Sequence, residues 1–194
     1  YSNTTASSNT AIGRSSLINN TTGYANTGVG RSALQANTTG ANNTAMGAYD
    51  VAGGIGGALQ TNTTGSDNTA YGVGALQANS TASNNTAVGK SALQANTTGH
   101  ENTAVGRDAL LANTTGSYNT ATGYWSLKSN TTGDQNNVYG YYSMEKNTTG
   151  AYNSGFGIYA LRNNTTGDNN VAVGKAALTN NTTADNNTAV GFSA

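Results

Sequence analysis

Cysteine and proline are absent from these 194 residues, and histidine and tryptophan occur once each. Without cysteine there is no disulfide framework, no thiolate nucleophile and no thiolate metal ligand. The lone histidine, His100, is expected to be a solvated turn residue, because neither an acid–base partner nor a second imidazole accompanies it. Charge is also scarce: eight basic residues balance eight acidic ones, together 8% of the chain. That balance gives no reason to expect nucleic acid or an anionic membrane as partner, since both recruit clustered Lys and Arg. No apolar run approaches the roughly 20 residues of a membrane span. No G-x-x-x-x-G-K-[ST] loop occurs, and one carboxylate per repeat falls short of a calcium shell. The composition therefore points away from an enzyme and from any cofactor or metal. The chain begins at Tyr1, as expected of a piece of a longer protein.

What fills the space is polar and small: 30 Asn, 32 Thr and 26 Gly. The tetrapeptide Asn-Thr-Thr-Gly alone appears eight times. Such a composition is shared with disordered tracts, but here the apolar residues are placed regularly. A glycine closes each N-T-A-V-G motif at Gly13, Gly30, Gly47, Gly72, Gly89, Gly106, Gly123, Gly140, Gly157, Gly174 and Gly191. Each step is 17 residues except Gly47 to Gly72, which is 25 and locates an eight-residue insertion at 48–55. The chain reads as one domain, 1–194, of about eleven copies of N-T-A-V-G-x-x-A-L-x-x-N-T-T-G-x-x.

Seventeen residues are too few for a helix pair, and Gly, Asn and Thr are poor helix formers. They suit one coil of an all-β parallel β-solenoid, or β-roll, with two short strands and two tight turns per coil. Coils stacked at about 4.8 Å make a rod of roughly 50 Å. Four residues after the anchor glycines Gly13 to Gly174, counted without the insertion, stands an unbroken column, Leu17 to Leu178 with Met144 at one level, expected to fill the interior. A second, mostly apolar column precedes each anchor glycine. None of the charged residues falls within an N-T-A-V-G segment. A strand without charge on either face reads as buried on both, one lining the solenoid and the other meeting another subunit. Ordering seventeen residues costs on the order of 25 kcal/mol per coil, more than one buried Leu and its small neighbours return, so a homo-oligomer is expected.

Three readings of the recurring tetrapeptide stand side by side. Its Asn forms one complete column and a second runs through Asn9 to Asn187, as stacked hydrogen-bonded ladders require. The same residues satisfy N-x-[ST], which makes Asn20, Asn37, Asn62, Asn79, Asn96, Asn113, Asn130, Asn147, Asn164 and Asn181 candidate glycan acceptors. Glycans require this column to point outward. Ice binding needs a flat array of T-x-T; here paired threonines are adjacent, and the strand column Thr10 to Thr120 is interrupted by Asn137, Ser154 and Val171. Aromatic residues cluster on coils seven to nine as Tyr124-Trp125, Tyr141-Tyr142 and Tyr159. They are either a locally swapped core or interface, or a platform for a sugar or receptor. The insertion around Tyr49 and Asp50 is a second candidate binding element.

The stretch NNTAVGKSALQANTTG resembles the head repeats of YadA-like trimeric autotransporter adhesins. It is also similar to the NTAVG…ALxxNTTG arrays of phage tail-fibre and TMF-type surface proteins. The resemblance spans essentially the whole chain, with a unit longer than the usual adhesin-head repeat. It implies a trimeric β-roll in an extracellular attachment fibre, on a cell surface or a virion, with a host-surface glycan or receptor as partner. A self-assembling, glycosylated filament subunit is the alternative, and an ice-binding solenoid a further one.

Overall fold

A computed structural model describes residues 5–194 of the chain. Its strands are β1 (Thr10–Ile12), β2 (Thr27–Val29), β3 (Thr44–Met46), β4 (Thr69–Tyr71), β5 (Thr86–Val88), β6 (Thr103–Val105), β7 (Thr120–Thr122), β8 (Asn137–Tyr139), β9 (Ser154–Phe156), β10 (Val171–Val173) and β11 (Thr188–Val190). They form one parallel sheet in chain order, and every column stays in register: Thr86 beside Thr103, Ala87 beside Ala104, Val88 beside Val105. The described chain is thus an all-β parallel β-solenoid of about eleven coils, numbered below by their strands, with no helix among the described residues.

Each coil carries one strand rather than the expected two. The Ala-Leu segment is a run of turns, although it bonds to its neighbour as a strand would: Leu93 N–H donates to Ala109 O at 3.0 Å and Ala95 N–H to Leu111 O at 3.1 Å. The reason lies in the backbone, because Ser91 has φ 57° and Leu93 φ 51°. Left-handed residues at alternate positions bend the chain out of the extended conformation. A side-chain-bearing residue pays roughly 1–2 kcal/mol for that conformation. The stack holds it, since each coil repeats the bend and its amides are satisfied only in that shape.

Inside the coil, three columns meet. They are the middle residue of each strand (Ala70, Ala87, Ala104), the residue before Leu (Ala75, Ala92, Ala109) and the Leu itself, all fully buried. The Leu column fills the interior as its spacing predicts. At two levels the columns exchange bulk. Ser16 and Ser143 replace Ala, and the next strands offer Gly28 and Gly155 instead of Ala. Ser16 Oγ donates to Gly28 O at 2.9 Å, where a Cβ on Gly28 would stand 2.5 Å from that oxygen. Ser143 Oγ donates to Ala160 O at 3.1 Å. Ser126 has no such accommodation: the following strand carries Val138, and the buried Ser126 Oγ has no hydrogen-bond partner among the described residues. A buried orphan hydroxyl costs about 1–3 kcal/mol. Ser126→Ala is therefore expected to raise stability by about 1 kcal/mol or more, read as a higher urea midpoint at unchanged slope.

The strand is not buried on both faces within one chain. In β5, Ala87 points inward while Thr86 is half-buried and Val88 exposed. Val88 and Val105 are each 37% exposed and Tyr71 56%. The coil closes over one side of the sheet only, which leaves the other side to solvent or to a partner.

The insertion leaves the stack intact, since Thr44 still pairs with Thr69 across it. Its ends close through an isolated bridge, Asp50 N–H to Ile55 O at 2.8 Å, and residues 51–54 are exposed. Asp50 Oδ1 accepts from Ala52 and Gly53 N–H at 3.1 and 3.0 Å. Arg31 lies 5.0 Å from the Tyr49 ring centre, which ties the loop to coil 2.

Candidate functional site

The Asn-Thr-Thr-Gly corner is an internal seam. Asn96 Nδ2 donates to Gly99 O at 2.8 Å in its own corner and to Asn79 Oδ1 at 3.1 Å one coil back. Asn96 Oδ1 in turn accepts from Asn113 Nδ2 at 2.9 Å, and the pattern runs unbroken from Asn20 to Asn181. Asn3, at the head of this column, lies outside the described residues. The second ladder works differently. Asn85 Oδ1 accepts both the backbone N–H of Asn102, at 3.0 Å, and its Nδ2, at 3.2 Å. The first Thr closes the corner: Thr97 N–H and Oγ1 both donate to Thr114 O, at 2.9 and 3.0 Å.

This geometry bears on the glycan reading. Asn20, Asn37, Asn62, Asn79, Asn96, Asn113, Asn130, Asn147 and Asn164 are buried, and Asn181 is half-buried in the last described corner. From Asn37 onward, both hydrogens of the amide nitrogen are engaged; at Asn181 they go to Asn164 Oδ1 and Ala184 O. A sugar on Nδ2 would remove one donor and need room where the next coil packs. The column points inward, so in the folded coil these residues are ladder rungs rather than glycan acceptors.

The other turn residues have equally local roles. Asp134, Asp168 and Asp185 each present Oδ1 to a backbone N–H of the preceding coil, of Ser117, Ala151 and Asp168, all at 2.7 Å. His100 is half-buried in a turn, its ring edge-on to Tyr118 at 5.0 Å. Among the described residues, no three of His, Asp and Glu converge.

The aromatic cluster does come together, and on the outside of the corner that follows the anchor glycine. Tyr124, Trp125, Tyr142 and Tyr159 are half-buried and Tyr141 is exposed, so none of the five enters the core. Tyr124 stacks on Trp125 and on Tyr141, with centroids 5.2 and 5.5 Å apart, and Tyr159 meets Tyr141 and Tyr142 edge-on. Cations lie on the rings. Lys128 Nζ is 3.3 Å from the Trp125 ring centre, and the Arg162 guanidinium is 5.2 and 5.1 Å from Tyr142 and Tyr159. Two carboxylates fix the arrangement: Trp125 Nε1 donates to Asp108 Oδ2 at 3.0 Å, and Arg162 Nε to Glu145 Oε2 at 2.9 Å. The Glu145 hydrogen bond holds the Arg162 guanidinium pKa above its ordinary value. Desolvation among the rings, helped by the Tyr141 hydrogen bond, pushes the Tyr142 phenol up to about 12.

Sequence reasoning missed the contact of cations with these rings. Arg107, Lys128, Lys146, Arg162 and Lys175 all lie between an anchor glycine and the next Asn-Thr-Thr corner, on coils 6 to 10. Overall charge hides them, because most acidic residues occupy the opposite turn. Sorting charges by position within the repeat places them in one segment but does not show that Lys128 and Arg162 lie on the rings.

The outward sheet face is the second candidate surface. Its apolar column runs Ile12, Met46, Tyr71, Val88, Val105, Tyr139, Phe156, Val173 and Val190, all exposed. Tyr139 and Phe156 stack on it at 5.3 Å. Compared with protein-family models, with curated proteins and with solved structures, the chain matches none.

Proposed function

We propose that this β-solenoid is a non-enzymatic segment of an extracellular attachment fibre, assembled as a homo-oligomer through the outward face of its sheet. The observation that carries the reading is that face: uncharged over eleven consecutive strands and apolar in its third-position column at every level but Thr122. Exposed apolar stripes of that continuity are uncommon on monomeric proteins and mark contact surfaces. The resemblance to trimeric adhesin heads supplies the number three and the surface location.

Charge placement supports a particular arrangement. Each strand is entered from the turn that bears Asp67, Glu101, Asp134, Asp168 and Asp185, and left into the corner that bears Arg14, Arg31, Lys90, Arg107 and Lys175. A symmetry axis along the rod sets the acidic flank of one copy beside the basic flank of its neighbour. An axis along the strands would oppose like charges, which is unfavourable at an interface. Parallel copies around the rod axis are thus favoured.

Light scattering after size exclusion tests this. A mass near three times the 19.5 kDa chain is expected. Val105→Lys, which places an unpaired charge mid-stripe, should shift that mass to one chain while leaving the coil folded by circular dichroism. A monodisperse wild-type monomer would sink the fibre interface; open-ended, concentration-dependent growth would favour the filament reading instead.

A further inference from the structure

Resting on the attachment reading, we infer that the aromatic corner of coils 6 to 9 binds an anionic oligosaccharide laid along the rod axis. The chemistry needed is a ring face for each sugar and a cation for its carboxylate or sulfate. Tyr141 is the most open ring, 45% exposed, and Tyr124 and Tyr159 continue the surface on the coils either side. Consecutive coils repeat at about 4.8 Å, close to the length one sugar unit adds to an extended chain. One rung per sugar follows from that match.

The charge of the ligand follows from what is already paired. Asp108 serves Trp125 and Arg107, and Glu145 serves Arg162. Lys128 and Lys146 have no carboxylate within ion-pair distance among the described residues, and Lys128 is held over Trp125 with its charge unneutralised. A cation fixed on a ring keeps its direction without a counter-ion, which suits it to receive an acidic group. A peptide adding as a strand is disfavoured, because alternate backbone amides of the corner are spent between coils: Trp125 N–H on Arg107 O at 3.2 Å, Tyr142 N–H on Tyr124 O at 3.0 Å and Tyr159 N–H on Tyr141 O at 3.1 Å, which leaves no continuous edge for a strand to pair with. Recognition at this corner is left to rings and cations.

Trp125 is the only tryptophan in the chain, so its fluorescence reports on this corner alone. The full chain is titrated with hexasaccharides of hyaluronan (carboxylate), heparin (sulfate) and chitin (neutral), and with an oligothymidylate. The expected result is saturable change with at least one acidic hexasaccharide and none with the neutral one. Which acidic probe responds identifies the group. Tyr141→Ala, at an exposed position, should weaken binding roughly three- to tenfold at unchanged net charge. Lys128→Gln should weaken it by a similar factor, followed by calorimetry because that variant alters the Trp125 environment. Equal affinity of Tyr141→Ala and wild type would reduce the site to charge alone and overturn the inference. So would response to neither acidic probe, or tighter binding of the oligothymidylate, which would make the corner a nucleic-acid platform. The mass measurement separates the two readings: trimers that ignore every sugar sink only this inference, whereas monomers that bind sink only the fibre.

Discussion

Gly106→Ala is expected to cost at least about 3 kcal/mol, and the same substitution at Gly99 about 1–2 kcal/mol. Both glycines approach the next coil closely, but the anchor column is Gly in every repeat, whereas the Gly99 column is Ala at 6, 82 and 184. Gly106 has φ 133°, and a Cβ there would stand 2.6 Å from Gly123 O and 2.7 Å from Gly123 C. That backbone region is essentially closed to other residues, at a cost of order 1–3 kcal/mol before any contact is counted. Relieving the contact means lifting coil 7 off coil 6, against the Gly123 N–H to Val105 O bond of 2.8 Å.

Gly99 has no positive φ, and the chain already shows what a methyl does at its position. Ala82 occupies the equivalent place below Gly99, and there Ser80 N–H reaches Thr97 O at 3.3 Å, against 2.9 Å for Thr97 N–H to Thr114 O and 2.8 Å for Thr63 N–H to Ser80 O. The corner loosens on the side the methyl faces and survives. Urea unfolding of both variants checks the contrast. Because stability in a stack is a nearest-neighbour sum, Gly106→Ala should also broaden or split the transition as coils 1–6 and 7–11 uncouple. Equal costs for the two variants would show that close approach, and not backbone conformation, makes the anchor glycine invariant.

The fold was legible where a column had one physical reason to exist. A 17-residue period, Leu at one level and uncharged strand segments lead to a stacked parallel coil, and the Asn columns lead to ladders. What was not legible had a cause in each case. Leu93 in a left-handed bend has no sequence signature, because leucine has no preference for that region; only the inter-coil bonds enforce it. The outward direction of Val88 and Val105 was hidden because an oligomer contact and an interior select the same apolar letters. Asn96 was ambiguous because ladder and sequon share their residues, and only burial separates them. The five aromatic residues were recognised as neighbours. Their contact with Lys128 and Arg162 was not legible, because sharing a repeat segment does not say which way a side chain points.

The ladder should be the least forgiving feature of the coil. Asn96→Ala removes an amide that joins three coils. Gly99 O keeps a donor, Asn85 Nδ2 at 3.0 Å, so it is not orphaned. Asn79 Oδ1 loses the Asn96 Nδ2 donor at 3.1 Å, and Asn113 Nδ2 keeps only its bond to Gly116 O at 2.9 Å. One buried acceptor without a partner and one buried amide hydrogen left unpaired, at about 1–3 kcal/mol each, predict a loss of roughly 3–5 kcal/mol. Asn96→Asp keeps the shape and tests the electrostatics. Its second oxygen faces Asn79 Oδ1 and Gly99 O, both acceptors, so the ionised form is opposed while the protonated form donates to one of them. Burial therefore raises the folded carboxyl pKa above its unfolded value of about 3.9. The folded state then binds more protons than the unfolded one, so stability is greatest below about pH 4 and falls as pH rises through the folded pKa. The difference in urea midpoint between Asn96→Asp and the unsubstituted chain should widen from pH 4 to pH 7. A difference that stays constant over that range, or an Asn96→Ala loss below about 1 kcal/mol, would mean that water reaches the seam and the ladder is ornament to a coil held by its Leu and Ala columns.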